Sequence, residues 1–187
     1  MADGTLKVGT ITTSSGSGTI TLGQSGETIA IPSGATFSAT SGTMSGQNYP
    51  AFRAYRSTSQ AIPSSTFTKI QFDTETFDTD SAYDNSTNYR FTPQVAGKYF
   101  FTTTIRMVGI STIDNYQVFL YKNGSIHSRF ANGGTHAANP SNSVSDIVTM
   151  NGSTDYVEVF VYQTYGSDRN LDNGTNNTYF LGYRIGA

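Results

Sequence analysis

Residues 96–107 read Ala96-Gly97-Lys98-Tyr99-Phe100-Phe101-Thr102-Thr103-Thr104-Ile105-Arg106-Met107. Aromatic and β-branched residues fill this stretch, and both favour a pleated, half-buried surface. Side chains alternate along a strand, so Tyr99 and Phe101 fall on one face. Gly97 opens the strand, where a bulkier side chain would obstruct a neighbour. The sequence predicts a strand over Lys98–Met107, and the same reading extends in both directions. Further strands are expected at Ala51–Tyr55, Thr66–Phe72, Tyr89–Thr92, Tyr116–Lys122, Ser125–Phe130, Val144–Met150, Tyr156–Tyr165 and Asn177–Ile185. Asn123-Gly124 and Asn151-Gly152 mark tight hairpins, because Asn-Gly suits the positive φ angles of such turns. Many short strands separated by turn residues mean an all-β sandwich or barrel.

Composition agrees. Charged residues make up 13% of the 187, and Ser, Thr, Asn and Gly stand in their place beside 12 Tyr and 12 Phe. No segment sustains the 3.6-residue apolar period of a capped helix. A net charge of −2 leaves no basic stripe for nucleic acid. No apolar run approaches the ~18 residues of a membrane span. The start, Met1-Ala2-Asp3-Gly4-Thr5-Leu6-Lys7-Val8, lacks the basic and apolar regions of a signal peptide. Cysteine is absent, which points to folding in a reducing cytoplasm.

Residues 1–48 differ from the rest and are expected to form a separate Gly/Thr/Ser-rich arm ahead of a head at 49–187. Glycines recur every eight residues at Gly18, Gly26, Gly34 and Gly42. Between them lie short β-like pieces: Thr19–Leu22, Thr28–Ile31 and Ala35–Ser38. The apolar positions shift by one residue between the first two units. So little apolar surface cannot offset chain entropy alone. The arm therefore reads as an extended, β-rich docking or fibrous segment that orders against sister chains or a larger assembly.

One constellation in the head is specific. Phe72 is followed by Asp78, Tyr83 and Phe91, then by Gly97, Tyr99 and Phe101. This resembles the signature of the globular heads of the complement q subcomponent family, relatives of the tumour-necrosis-factor jelly roll. The likeness continues through Leu120-Tyr121-Lys122-Asn123-Gly124 and ends at Phe180-Leu181-Gly182-Tyr183. One extra residue lies between Tyr83 and Phe91, and Thr103 stands where the family prefers an aromatic. The resemblance implies an antiparallel jelly-roll sandwich that assembles as a homotrimer, with aromatic faces around a three-fold axis. Phe52, Phe72, Tyr83, Phe91, Gly97, Tyr99, Phe101, Phe180, Gly182 and Tyr183 are the expected fold and trimer signature. Separately, Gly4-Thr5-Leu6-Lys7-Val8-Gly9-Thr10-Ile11 resembles the starts of tail-fibre and related virion proteins of marine bacteriophages. That likeness implies a virion protein, made and assembled in the host cytoplasm and joined to a larger virion assembly through residues 1–48.

Catalysis finds little support. His127 and His136 are the two histidines, and no motif positions a nucleophile beside either. No zinc spacing occurs, and no cofactor is expected. The acidic run Asp73, Glu75, Asp78, Asp80 and Asp84 suits calcium in residue type but lacks the Gly-centred spacing of a loop site, so no ligand set can be assigned. Topology is more informative. Successive turns of an antiparallel array alternate between its two ends. Both Asn-Gly turns therefore share one end, together with the entry from the arm and the C-terminus. The long connections Val108–Asn115, Ala131–Ser143 and Gly166–Asn176 share the other. These loops carry the candidate binding residues Asp114, Asn132, His136, Asn139, Tyr165, Asp168, Arg169, Asn170, Asp172 and Asn173. Such residues suit a saccharide or a polar protein surface. The expected role is non-enzymatic, a tail-fibre-like module whose head grips a host cell-surface glycan or protein. A capsid decoration or tail-associated protein without a receptor is the alternative.

Overall fold

The structure, a computed structural model, describes residues 11, 19–22, 24–35, 50–111, 115–132 (backbone alone at 131 and 132) and 138–186. The chain divides into two units, Met1–Met44 and Ser45–Ala187.

The second unit is all-β. Its strands are β1 (Ala51–Tyr55), β2 (Ala61–Ile62), β3 (Thr68–Lys69), β4 (Thr74–Asp78), β5 (Tyr83–Asp84), β6 (Arg90–Phe91), β7 (Gly97–Val108), β8 (Tyr116–Lys122), β9 (Ser125–Asn132), β10 (Ser141–Met150), β11 (Val157–Gln163), β12 (Arg169–Leu171) and β13 (Tyr179–Gly186). One sheet runs β2-β12-β7-β13-β1-β4 with β10 on the far edge of β7. The other runs β5-β6-β11-β8-β9, with β3 paired to β11. All pairings are antiparallel, and the two sheets form a jelly-roll sandwich.

The strand expected at Lys98–Met107 forms as β7, one residue longer at each end, and lies in the middle of its sheet. In β7 every second residue from Gly97 to Met107 is buried, the alternation of a strand with one face on the core. Its Tyr99 and Phe101 meet Phe52, Phe91 and Phe180 in one aromatic core. Phe52 stacks on Phe91 at 4.5 Å and on Tyr83 at 5.0 Å, and meets Phe180 edge-on at 4.9 Å. Offset and edge-on contacts of this kind suit the ring quadrupole. Two glycines make the packing feasible. Gly97 has φ +150°, and a Cβ there would sit 2.3 Å from the Gly186 carbonyl oxygen. At Gly182 a Cβ would sit 2.4 Å from the Phe101 ring.

Nine of the ten signature positions are buried inside the protomer, so their packing is internal to it. Tyr183 is the tenth and lies on the outer face of its sheet, beside Phe100 at 5.6 Å. The two departures from the family pattern have local explanations. Thr103 is fully buried and donates from Oγ1 to the Tyr179 carbonyl at 2.8 Å, a bond no aromatic could make. The extra residue falls in the β5–β6 connection, where Tyr89 takes φ +52°.

Several strand bounds differ from expectation. Of the predicted Thr66–Phe72 strand Thr68–Lys69 forms β3, with the Ile70 N–H adding a bond to the Val159 carbonyl at 2.9 Å, while β2, β4, β5 and β12 were not foreseen. These are short or edge pieces defined by partners distant in sequence. In the first unit, Thr19–Leu22 and Thr28–Ile31 form no strand, and Ile20, Leu22, Ile29 and Ile31 are exposed. The third predicted piece, 35–38, lies outside the described residues beyond Ala35.

Candidate functional site

The two ends of the sandwich are built differently. At one end Asn123 (φ +51°) and Gly124 (φ +76°) form the two-residue turn between β8 and β9. Positive φ at both central positions is the type I′ geometry that matches strand twist. The second Asn-Gly pair opens a longer loop, Asn151–Tyr156, rather than a two-residue hairpin. The Asn151 Oδ1 caps that loop by accepting from the backbone N–H groups of Ser153, Thr154 and Asp155 at 3.0 Å each. The two turns lock together: Asn123 Nδ2 donates to Asp155 Oδ1 at 2.8 Å, and the Tyr156 N–H donates to Asn123 Oδ1 at 3.0 Å. The Asn123 amide and the Lys122 ammonium, 3.0 Å away, hold the Asp155 carboxyl below its usual range. Pro50 is at this end as well, its carbonyl accepting from the Arg184 N–H at 3.1 Å.

The long connections meet at the opposite end, as alternation requires. Asn139 (φ +53°) donates its N–H to the Ile110 carbonyl at 3.2 Å and accepts the Ile110 N–H on Oδ1 at 3.4 Å. The Thr164 N–H reaches the Asn115 carbonyl at 3.1 Å, and the Ser111 and Tyr165 hydroxyls are 3.3 Å apart. The structure thus brings Asn139, Tyr165 and Arg169 into one neighbourhood. The Arg169 guanidinium lies 3.9 Å from the centre of the Tyr165 ring, a cation–π contact. The Ser111 hydrogen bond and the guanidinium both favour the phenolate, so the Tyr165 hydroxyl sits below its usual pKa. Arg169 also keeps a buried Nε with no hydrogen-bond partner among the described residues.

The remaining candidates are placed otherwise. Asp172 belongs to the framework, whereas Asn170 pairs through its backbone and is exposed. Asn170 is in β12, in register with Val108 and Ala61, and Asp172 pairs with Arg106 at 2.9 Å. Asn173 donates from Nδ2 to the Ser57 carbonyl at 2.9 Å, while Asp168 is exposed. Asn132 closes β9 opposite Tyr116, and its side chain lies outside the described residues. Asp114 and His136 lie outside the described residues.

Sequence reasoning passed over the polar groups that hold this end in shape. Gln163 is fully buried. Its amide donates to the Ile62 carbonyl at 3.0 Å and the Ser167 carbonyl at 3.1 Å, and its carbonyl accepts the Tyr165 N–H at 2.6 Å. Tyr116, also buried, donates to the Ile105 carbonyl of the facing sheet at 2.7 Å, and burial raises its hydroxyl pKa. Nothing in the sequence marks either residue except its place in an inward-facing strand position.

Three members of the acidic run serve as ion-pair partners or backbone caps. Asp73 pairs with Arg56 at 2.7 Å and accepts the Ser57 N–H at 2.8 Å. Asp78 accepts the Tyr83 N–H at 2.7 Å. Asp84 caps the following turn, accepting N–H groups of Ser86, Thr87 and Asn88 at 2.9–3.1 Å, bonds that hold its carboxyl far below the usual range. Among the described residues no three acidic or histidine side chains gather to hold a metal. His127 stands 3.6 Å from Asp146, linking β9 to β10.

Sheet order, aromatic core and paired short and long ends together define a jelly-roll head of the complement and tumour-necrosis-factor type. The C1q domain model matches residues 51–185, and the chain belongs to that family. Solved structures share the fold at low identity. The globular domain of zebrafish complement 1qA is 18% identical with a TM-score of 0.54, covering 73% of this chain and 97% of that one. PRD1 vertex protein P5 is 13% identical with a TM-score of 0.54, covering 72% and 96%. Murine APRIL is 8% identical with a TM-score of 0.50, covering 72% and 98%. No curated protein sequence matches the chain.

Proposed function

We propose that this protein is a non-enzymatic, homotrimeric virion protein whose head grips a polar host surface through its long-loop end. The observation that carries this reading is the gathering of three long connections at the end opposite Pro50, with the Tyr165–Arg169 pair among them. Loops on a rigid scaffold are the usual site of recognition. A half-exposed ring, a guanidinium and hydroxyls suit a saccharide, by stacking and hydrogen bonding.

Assembly as a trimer follows from the family resemblance and has a face to use. On the outer side of the first sheet, Ile147, Phe100 and Tyr183 lie opposite one another on β10, β7 and β13. Ile147 is 53% exposed and Ile185 43%, an apolar row that a second copy would cover. The neighbouring rows are Thr and Ser, paired as Thr102–Ser145 and Thr104–Ser143 at 2.8 Å. The likeness of Gly4–Ile11 to virion tail proteins supports a place on a particle, with residues 1–48 as the attachment.

A second reading, a shell or vertex protein without a receptor, is favoured by the fold shared with PRD1 vertex protein P5. Gold labelling of purified particles with an antibody to the full chain separates the readings. Label at a tail tip is the expected result. Label spread over the shell supports the second reading, and particles without label contradict both.

A further inference from the structure

Residues 17–44 contain a repeat that the family fold does not absorb, since the matched region begins at residue 51. Ser-Gly recurs every eight residues, at Ser17-Gly18, Ser25-Gly26, Ser33-Gly34 and Ser41-Gly42. The two described units share one geometry. The Glu27 N–H donates to the Gln24 carbonyl at 3.1 Å and the Ala35 N–H to the Pro32 carbonyl at 3.0 Å. Gly26 (φ +90°) and Gly34 (φ +83°) each occupy the third position of the turn, while Ser25 and Ser33 stay out of the left-handed region. That is type II geometry, which needs glycine there.

Type II turns splay the strands they join, unlike the turns that close hairpins. Segments on either side of Gly26 are thus directed apart, and neither 19–22 nor 28–31 is paired among the described residues. Their apolar side chains alternate and stay in solvent: Ile20 is 42% exposed, Leu22 59%, Ile29 57% and Ile31 48%. Unpaired backbone beside alternating exposed apolar side chains is a surface that a strand of another chain can cover.

We infer that the partner is the same segment of sister copies, so that the arms form a shared β-structured stalk with Ile20, Leu22, Ile29 and Ile31 turned inward. This rests on the trimeric reading above, which tethers three identical arms to one assembly and raises their effective concentration for each other. Charge permits it. Asp3, Lys7 and Glu27 are the arm's only charged residues, and the Glu27 carboxylate accepts the Gln24 N–H at 2.6 Å. Stacking copies in register therefore juxtaposes one row of like charge along the repeat.

The chain has no cysteine, so a single introduced thiol reports proximity cleanly. The test uses full-length Ile29→Cys, with Ser86→Cys on the exposed head surface as control, oxidised after sedimentation has given the oligomeric state. The expected result is disulfide-linked dimers forming at least about tenfold faster for Ile29→Cys, at a rate unchanged by dilution. Hydrogen exchange on the unmodified chain should show the amides of 28–31 protected. A trimer whose Ile29→Cys links no faster than the control, or more slowly on dilution, overturns the stalk and leaves the head trimer standing. Free exchange of 28–31 in a trimer does the same. A monomer overturns both.

Discussion

The two ends of the sandwich solve the same problem, joining strands of a closed core, by different chemistry. The turn end uses backbone-specific residues: Asn123 and Gly124 at positive φ, and an Asn151 cap on a six-residue loop. Its polar side chains cap local backbone and tie the two turns together, through Asn151, Asn123, Asp155 and Lys122. At the loop end a buried side chain reaches across elements instead: Gln163 ties Ile62, Ser167 and Tyr165 together through their backbone. Once that internal bonding is in place, Tyr165 and Arg169 are left held at the surface. The comparison teaches that one end is fixed by local turn chemistry and the other, in its described part, by a buried amide that bonds backbone distant in sequence.

The largest effect is expected where the turn-end half of the core is emptied. Phe52→Ala removes a fully buried ring that touches Tyr83, Phe91 and Phe180. Denaturant unfolding should show a loss of about 3–5 kcal/mol. A loss below about 1 kcal/mol would mean the aromatic core is not the keystone of this half.

Gln163→Leu tests the other end. It orphans the Tyr165 N–H, and a loss of about 1–3 kcal/mol is expected. Exchange should rise at 62, 64, 65 and 164–167 while the amides of the Asn123 turn stay protected. Equal loosening of both ends would erase the distinction between them.

A smaller, pH-dependent effect belongs to the turn end. The Asp155 carboxyl lies below its unfolded value of 3.8, so it contributes stability above that pH and loses it as acid protonates the folded carboxylate. Thermal melts should show Asp155→Asn less stable than the unmodified chain at neutral pH, with the gap closing below about pH 4. A gap constant with pH would assign the effect to shape instead of charge.

Much of this architecture was legible in the sequence because its decisive residues act locally. Gly97, Tyr99 and Phe101 declare the central strand by alternation, and Asn123-Gly124 declares its turn by φ preference. Counting turns placed the long connections at one end without any coordinates. What was not legible depends on contacts far apart in sequence. β12 exists because Asn170 meets Val108 and Ala61, and Asp172 is committed to Arg106. As loop letters, Asp172 and Arg169 look equivalent, yet one is part of the frame and the other stacks on Tyr165. The outer face of the second sheet was also missed. There Phe67 stands 4.8 Å from Tyr162 and Tyr121 4.2 Å from Phe160, around the Lys69–Glu158 ion pair, a cluster assembled from three strands.

The central claim is that the loop end binds and the turn end does not. The direct measurement is binding of the full-length protein to an array of bacterial surface polysaccharides, comparing the unmodified chain with two variants. One carries Tyr165→Ala and Arg169→Ala, the other Ser125→Ala and Ser153→Ala at the turn end. The turn-end substitutions should change stability by no more than about 0.5 kcal/mol, while the loop-end pair costs more because Tyr165 packs against the core, so melting checks that each variant is folded. The account predicts that the unmodified chain and the turn-end variant bind the same polysaccharide alike, while the loop-end variant loses at least about tenfold in affinity, a loss that multivalent attachment amplifies. Binding by the loop-end variant equal to that of the unmodified chain, or no binding by any of the three, would contradict it.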